Sequence, residues 1–154
     1  QEDAARILEL RDKIKALDDR IAKVAEGSRE AVIMSSIPGF GPTSTAELAG
    51  EVGTIDRFET EASLALYLGM ASLDNSSGKK KGSKTSKMVN TRAKAAMMAA
   101  VDSHRKCVPE SQRYYEKKRA EGKKHNQAVR ALGRHLCRVI YKMLREDREY
   151  QTRQ

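Results

Sequence analysis

Ile7, Leu10, Ile14, Leu17, Ile21 and Val24 follow one another at spacings of three and four. This is a heptad seam, isoleucine at a and mostly leucine at d, and it predicts a coiled-coil helix within residues 1–27. Isoleucine at a with leucine at d favours a parallel dimer. An antiparallel hairpin with an upstream helix, or a surface helix packed on its own domain, writes the same pattern. Gly27-Ser28 breaks the helix, and Ser28 is a ready N-cap for the next one.

The apolar pattern then shortens. Ala31-Val32-Ile33-Met34 predicts a brief helix, followed by Ile37-Pro38-Gly39-Phe40-Gly41 and a second helix from Pro42 or Thr43 to Val52. Proline suits the first helical position, where its missing N–H costs nothing. The stretch 31–52 has the form of a helix-hairpin-helix, whose glycines admit a tight turn and whose following helix offers N–H groups to a phosphate. That chemistry makes Gly39, Gly41 and Thr43 candidate nucleic-acid contacts. An ordinary helix turn is the alternative, and the acidic neighbours Glu47 and Glu51 favour it. Further helices are expected over about 60–68, 90–107, 109–120 and 125–146. Their apolar stripes are Phe58, Leu64, Tyr67 and Leu68; Ala93, Ala96, Met97, Ala100, Val101 and His104; and Val129, Leu132, Leu136, Val139, Ile140 and Met143. The fold class is therefore all-α: a coiled-coil helix (1–27), a compact helical domain (28–147) and a frayed tail (148–154).

Charge changes the picture more than composition does. Over the 154 residues the net charge is +9, but segments 1–36, 37–75 and 76–154 carry −1, −5 and +15. So one-sided an excess points to a polyanionic partner, above all nucleic acid, rather than to solubility alone. An anionic membrane surface fits less well, because 76–87 has almost no apolar face. Within the basic loop 75–91, Lys79, Lys80, Lys81, Lys84 and Lys87 are interleaved with Ser, Thr and Gly and no acid. This composition suits sequence-independent phosphate contact, and a solvated linker is the bland alternative. Arg130, Arg134, Arg138 and Lys142 form a basic row on the last helix, read equally as a solvated face or a nucleic-acid contact.

Several chemistries are excluded. No apolar run approaches the roughly 20 residues of a membrane span. No signal-peptide pattern opens the chain, and two cysteines make no secreted framework, so a reducing cytoplasm is expected. The chain begins without Met and reads as a piece of a longer protein. No carboxylate cluster has the form of a two-metal site, and no GxxxxGK[ST] loop or defensible Ser-His-Asp set is present. A zinc site from His104, Cys107, His135 and Cys137 is disfavoured, since residues two apart on a helix face different ways.

From Ile37 to Glu146 the chain resembles the C-terminal domain of the DEDD-type insertion-sequence transposases. That family includes the Piv-type DNA invertases and is also called the bridge-RNA-guided recombinases. The matching features, in order, are Ile37-Pro38-Gly39-Phe40-Gly41; an alanine-rich helix ending Glu51-Val52-Gly53; Arg57-Phe58; Tyr67-Leu68-Gly69-Met70; Ser77-Gly78 before the basic stretch; Lys87-Met88-Val89-Asn90; Tyr114-Tyr115; Gly122-Lys123; and the helix from Ala128 to Leu144. The resemblance implies a coiled coil joining this domain to an N-terminal RuvC-like domain that holds a divalent metal, Mg, on four acids. No cofactor is then expected in this chain. It implies a serine that attacks DNA phosphate, here Ser77, with Ser76 as the alternative. Lysines 79–81 would lower the pKa of its hydroxyl or stabilise charge on phosphorus. It implies DNA and a structured guide RNA as partners, with residues 7–24 making a homodimer or higher oligomer, and a bacterial, nucleoid-associated location. The chain departs from the family at Val89, where glycine is usual, and at Ala93-Lys94, where Leu-Arg is usual. Lys94 keeps the charge without the guanidinium fork, and Arg92 stands close by as a substitute. Two other functions fit the residues alone: a non-catalytic helix-hairpin-helix module that binds DNA and dimerises, and an RNA-binding scaffold.

Overall fold

The computed structural model describes residues 2–74, 83–84, 86 and 89–152, with backbone only at 74, 83 and 84. Seven α-helices carry the described chain: α1 (Glu2–Ala25), α2 (Arg29–Ser35), α3 (Pro42–Val52), α4 (Glu61–Tyr67), α5 (Thr91–Cys107), α6 (Pro109–Ala120) and α7 (His125–Arg145). A 3₁₀ turn, Ile55–Arg57, links α3 to α4. Among the described residues the one ladder is two residues long, β1 (Leu73–Asp74) against β2 (Ser83–Lys84), antiparallel. The protein is all-α.

Helix boundaries follow local chemistry. Ser28 caps α2 by accepting the Ala31 N–H, and Thr60 caps α4 by accepting that of Ser63. Asn90 caps α5 through the N–H groups of Arg92 and Ala93, while Pro42 and Pro109 open α3 and α6. Each such cap satisfies donors the helix itself leaves orphaned, worth about 1 kcal/mol apiece. α6 ends where Gly122 takes φ +85°.

The core lies where α7 crosses α4 and α5 and where α3 lies on α5. Leu48, Val52, Leu64, Leu68, Met97, Val101, Ile140 and Met143 are all essentially inaccessible. The periodic stripes named from the sequence supply most of it. Cys137 is buried too, and burial pushes its thiol up to about 12, so it is packing rather than a nucleophile.

A buried histidine ties three elements. His104 is 1% exposed. Its Nδ1 stands 2.7 Å from the Pro38 carbonyl oxygen, and its Nε2 stands 3.0 Å from Ser111 Oγ. A carbonyl can only accept, so Nδ1 carries the proton and Nε2 accepts from the serine hydroxyl. Burial moves the His104 pKa below its ordinary 6.5. The unfolded chain therefore takes up the proton first. Stability is fully present above pH 6.5 and falls as the pH drops below it. Urea unfolding midpoints should be lower at about pH 5.5 than at about pH 7.5, and His104→Gln should reduce that difference, the remainder including His135, whose pKa burial and the neighbouring Arg138, Arg134 and Lys118 also lower.

Two regions differ from expectation. The tail does not fray at once: the Tyr150 N–H donates to Ser36 Oγ (2.8 Å), and the Tyr150 ring lies edge-on to His104. The chain is turned back there by Asp147, at φ 48°, whose carboxylate pairs with Arg29. α1 buries no residue, yet it is not free along its whole length. Its C-terminal half lies along α3, Thr43 Oγ1 donates to Asp18, and Ile21 is half-buried. Between α1, α2 and α3 runs an apolar groove of about 570 Å³.

Candidate nucleic-acid interface

In the sequence the lysine-rich segment lies between α4 and α5. Five residues separate Tyr67 from Leu73, and five separate Lys84 from Asn90. Leu73 and Lys84 face each other across the ladder. At the other end Asn90 N donates to the Tyr67 carbonyl at 2.9 Å. The outgoing and returning limbs are thus tied together at two levels.

The lower tie is built from side chains as well. Asn90 Nδ2 donates to Glu51 Oε2 (2.6 Å) and to Tyr67 Oη (2.8 Å), and Tyr67 Oη donates to the Glu51 carbonyl (3.0 Å). Asn90 Oδ1 accepts from the N–H groups of Arg92 and Ala93. Arg57 closes the lower side: its guanidinium donates to the Glu51 and Val52 carbonyls and lies 5.5 Å from both the Phe58 and Tyr67 ring centres. Arg57 thus satisfies the Val52 carbonyl and shares that of Glu51 with Tyr67, and a cation at this helix end is favoured by the helix dipole. The sequence showed Asn90 and Tyr67 as motif members, and Tyr67 also as a core position, without joining them. Their partnership joins residues 16, 23 and 39 apart.

The candidate contacts fall into three groups. Ser76, Ser77, Lys79, Lys80, Lys81 and Lys87 lie outside the described residues, and Lys84 is described by its backbone in β2. Arg92 and Lys94 are in the first turn of α5, beside the tie. Arg92 faces Glu47 (2.7 Å) and Glu51 (3.1 Å), which raise its pKa, while its hydrogen bond holds Glu47 below the usual carboxylate range. Its charge is therefore largely answered within the protein. The aliphatic stem of Lys94 lies against Gly69.

The third group is the turn between α2 and α3. Gly39 faces inward: a Cβ there would sit 2.6 Å from the His104 backbone nitrogen. Its glycine is demanded by packing on α5. Thr43 spends its hydroxyl on Asp18, and Gly41 is the exposed N-cap of α3. Two helices and a turn are present, but Gly39 and Thr43 are engaged within the fold.

The basic row on α7 is also partly answered. Arg134 and Arg138 both reach Glu61 of α4 (3.4 and 3.0 Å), and Lys142 reaches Glu146 (3.7 Å). Two arginines of the row thus hold α4 onto α7, and Arg145, outside the row, reaches Asp56 of the 3₁₀ turn (2.9 Å). Among the described residues no three His, Cys, Asp or Glu side chains come together as metal ligands would, and no helix is long and apolar enough to cross a membrane.

Comparison with known proteins places this geometry. Residues 31–116 match the profile of the Transposase IS116/IS110/IS902 family, a span that runs from α2 into α6 and contains the basic loop. The chain is 32% identical over 151 residues to the uncharacterized 43.6 kDa protein of insertion element IS110 from Streptomyces coelicolor, covering 97% of this chain and 37% of that protein. It is 35% identical over 150 residues to the uncharacterized 42 kDa protein of insertion element IS900 from Mycobacterium paratuberculosis, covering 96% and 37%. A pilin gene-inverting protein from Moraxella bovis is 26% identical over 150 residues, covering 92% and 46%. The chain thus spans less than half the length of these relatives. With its helical core, its tied basic loop and these similarities, the chain belongs to the IS116/IS110/IS902 transposase family.

Proposed function

We propose that this chain is the DNA-binding, serine-carrying portion of a transposase or site-specific recombinase that cuts and rejoins DNA under the guidance of a structured RNA. The observation that carries this reading is the family match across 31–116, with relatives named both for insertion elements and for pilin gene inversion. The tie at Tyr67 and Asn90 supports it, because it joins the two residues that flank the lysine-rich segment to each other and to α3.

In this reading Ser77 is the nucleophile. Its Oγ forms a bond to a DNA phosphorus while one phosphorus–sugar oxygen bond breaks. The hydroxyl proton ends on the departing sugar oxygen. Rejoining reverses the exchange on a new strand, so the number of phosphate ester bonds is conserved and no external energy source is required. Lysines 79–81 stabilise the charge that builds on the phosphoryl oxygens. The metal belongs to the remainder of the longer protein, and α1 joins two copies through residues 7–24. A non-catalytic DNA-binding and dimerisation module is the competing function.

The test uses the longer protein that carries this chain, its flanking noncoding RNA and end-labelled target DNA. A covalent protein–DNA adduct should appear on a denaturing gel, vanish with Ser77→Ala and persist with Ser76→Ala. Loss with Ser76→Ala alone moves the nucleophile by one residue, and an adduct indifferent to both changes removes it from this loop. Tight binding without an adduct, while the longer protein still recombines DNA, favours the binding module. The chain by itself should leave labelled strands intact, and cleavage by the purified chain would overturn that expectation.

A further inference from the structure

Many cations of this chain are answered by the fold. Arg92 meets Glu47 and Glu51, Arg134 and Arg138 meet Glu61, Arg145 meets Asp56, and Arg105 and Lys106 share Asp102. α6 and the turn into α7 differ. Residues 109–124 hold six cations and three acids. Lys118 takes Glu121 at 2.8 Å, and the Glu116 carboxylate accepts from Gln112. Among the described residues no carboxylate lies within ion-pair distance of Arg113, Lys117, Arg119, Lys123 or Lys124, and all five are exposed. The hydrogen bond from Lys118 holds Glu121 below the usual carboxylate range, and Lys117 and Lys123 act on it at longer range. One carboxylate thus faces three lysines.

Folding does not account for most of these positions. Arg113 and Lys117 stand four apart on one helix face, where like charges repel. Lys123 and Lys124 come just before α7, at the end where a helix dipole disfavours cations, and the first turn of α7 holds no acid. Arg119 donates to the Lys123 carbonyl at 2.7 Å, which fixes the side chain and leaves its charge. Only Lys117 and Arg119 gain from their place in the last turn of α6. The cluster also stands apart from the tie at Asn90. α5 runs 17 residues, about 25 Å, from that cap to the end at which α6 begins.

We propose that the outer side of α6 and the α6–α7 turn bind the sugar–phosphate backbone of duplex DNA without reading its sequence. This rests on the reading of the chain as DNA-binding, and adds a contact surface independent of the lysine-rich segment. Single-stranded nucleic acid is held by stacking on aromatic rings. The two tyrosines of α6 are half-buried and turned inward, the Tyr114 hydroxyl 3.0 Å from His135 and that of Tyr115 2.8 Å from His125. A membrane surface needs an apolar face to insert, and the exposed positions Arg113, Glu116, Lys117 and Ala120 offer none. What faces outward is point charge, which phosphates answer.

The experiment uses the longer protein that carries this chain, with its flanking noncoding RNA bound, and a mixed-sequence DNA duplex of about 30 base pairs. Fluorescence anisotropy gives the affinity between about 50 and 200 mM salt. The triple variant Arg113→Gln, Lys117→Gln, Lys123→Gln removes three phosphate contacts. It should flatten the slope of log affinity against log salt by about 2.5–3, and lower affinity at about 0.1 M salt on the order of 10²-fold. A second triple on α1, Lys13→Gln, Lys15→Gln, Lys23→Gln, removes the same charge elsewhere and should change the slope by less than about 1. Affinity of the α6 triple for the RNA, measured without DNA, should change by less than about threefold. Its urea midpoint should stay level or rise, because like-charge repulsion is relieved.

An unchanged slope in the α6 triple, an equal loss in the α1 triple, or a loss confined to RNA affinity would each overturn the inference. So would a lower urea midpoint, which would assign these cations to the fold. The wild type separates this surface from the reading it rests on. No duplex binding by the wild type removes both, whereas wild-type binding that the α6 triple keeps in full removes only the surface.

Discussion

Replacing Gly39 with alanine lowers the unfolding free energy by about 2–5 kcal/mol, a large part of the ~5–15 kcal/mol that a domain possesses. Two separate costs add. Gly39 has φ +84°, a left-handed conformation that a Cβ penalises by about 1–2 kcal/mol. The new Cβ would also lie 2.6, 2.7 and 2.8 Å from the His104 nitrogen, the His104 Cα and the Ser103 carbonyl carbon. These are backbone atoms of α5, which cannot swing aside as a side chain would, so α5 or the 36–41 turn must move. Such a shift also strains the bond between His104 and Pro38. Gly122→Ala isolates the first cost, since Gly122 has φ +85° and a Cβ added there would meet nothing within 4 Å. It should lose only about 1–2 kcal/mol. Gly41→Ser should be neutral or slightly stabilising, because Gly41 caps α3 at φ −75° with open space around it and serine supplies the missing cap acceptor. Equilibrium urea unfolding of the three variants checks the order. Equal losses for Gly39→Ala and Gly122→Ala would show that the α5 contact carries no weight.

This turn shows where sequence and structure part. Helix positions were legible because their causes are local: Ser28, Thr60 and Asn90 are cap residues, and Pro42 and Pro109 are helix openers. The apolar stripes of α5 and α7 were legible for the same reason, since a 3.6-residue period depends on nothing distant. The meaning of Gly39 was not. A glycine before a helix reads as a phosphate contact until α5, far along the chain, is seen lying against it. The arginines behave likewise. Arg92 finds Glu47 across 45 positions, and Arg138 finds Glu61 across 77. A row of cations in sequence is a nucleic-acid surface only if the fold brings it no acids, and only tertiary structure decides that. The tail through Tyr150 docks for a related reason, because Ser36 and His104, which receive it, are distant in sequence. The candidate site was legible as composition, five lysines without an acid, while its anchorage at Glu51, Tyr67 and Asn90 was not.

Ile14→Glu should convert a concentration-dependent oligomer to a monomer. The seam of α1 is open to solvent where it leaves the domain: Ile7 is 64% exposed, Ile14 59% and Leu17 54%. Farther on, the domain covers the stripe at Ile21, half-buried beside α3, and leaves Val24 80% exposed. What remains open is about two heptads, enough for a weak helix pair and short of one that would be stable alone. Burying an isoleucine contributes about 1.5–3 kcal/mol, and a symmetric pair counts it twice, so its loss should raise the dimer dissociation constant on the order of 10³-fold. The added carboxylates, facing each other in an apolar seam, push in the same direction. Lys15→Glu, one position off the seam, should leave association nearly unchanged. Sedimentation equilibrium at several concentrations distinguishes the outcomes. A wild-type chain that is already monomeric would assign the open seam to a helix of the longer protein. A dimer indifferent to Ile14→Glu would move the interface off α1 altogether. A parallel pair, which isoleucine at a with leucine at d favours, would have a geometric consequence. It would set two copies of the helical domain on the same end of one coiled coil, so that two sites on one DNA would be met at an effective concentration fixed by α1 rather than by diffusion. Ile14→Glu should therefore weaken binding to a DNA carrying two sites far more than binding to a DNA carrying one.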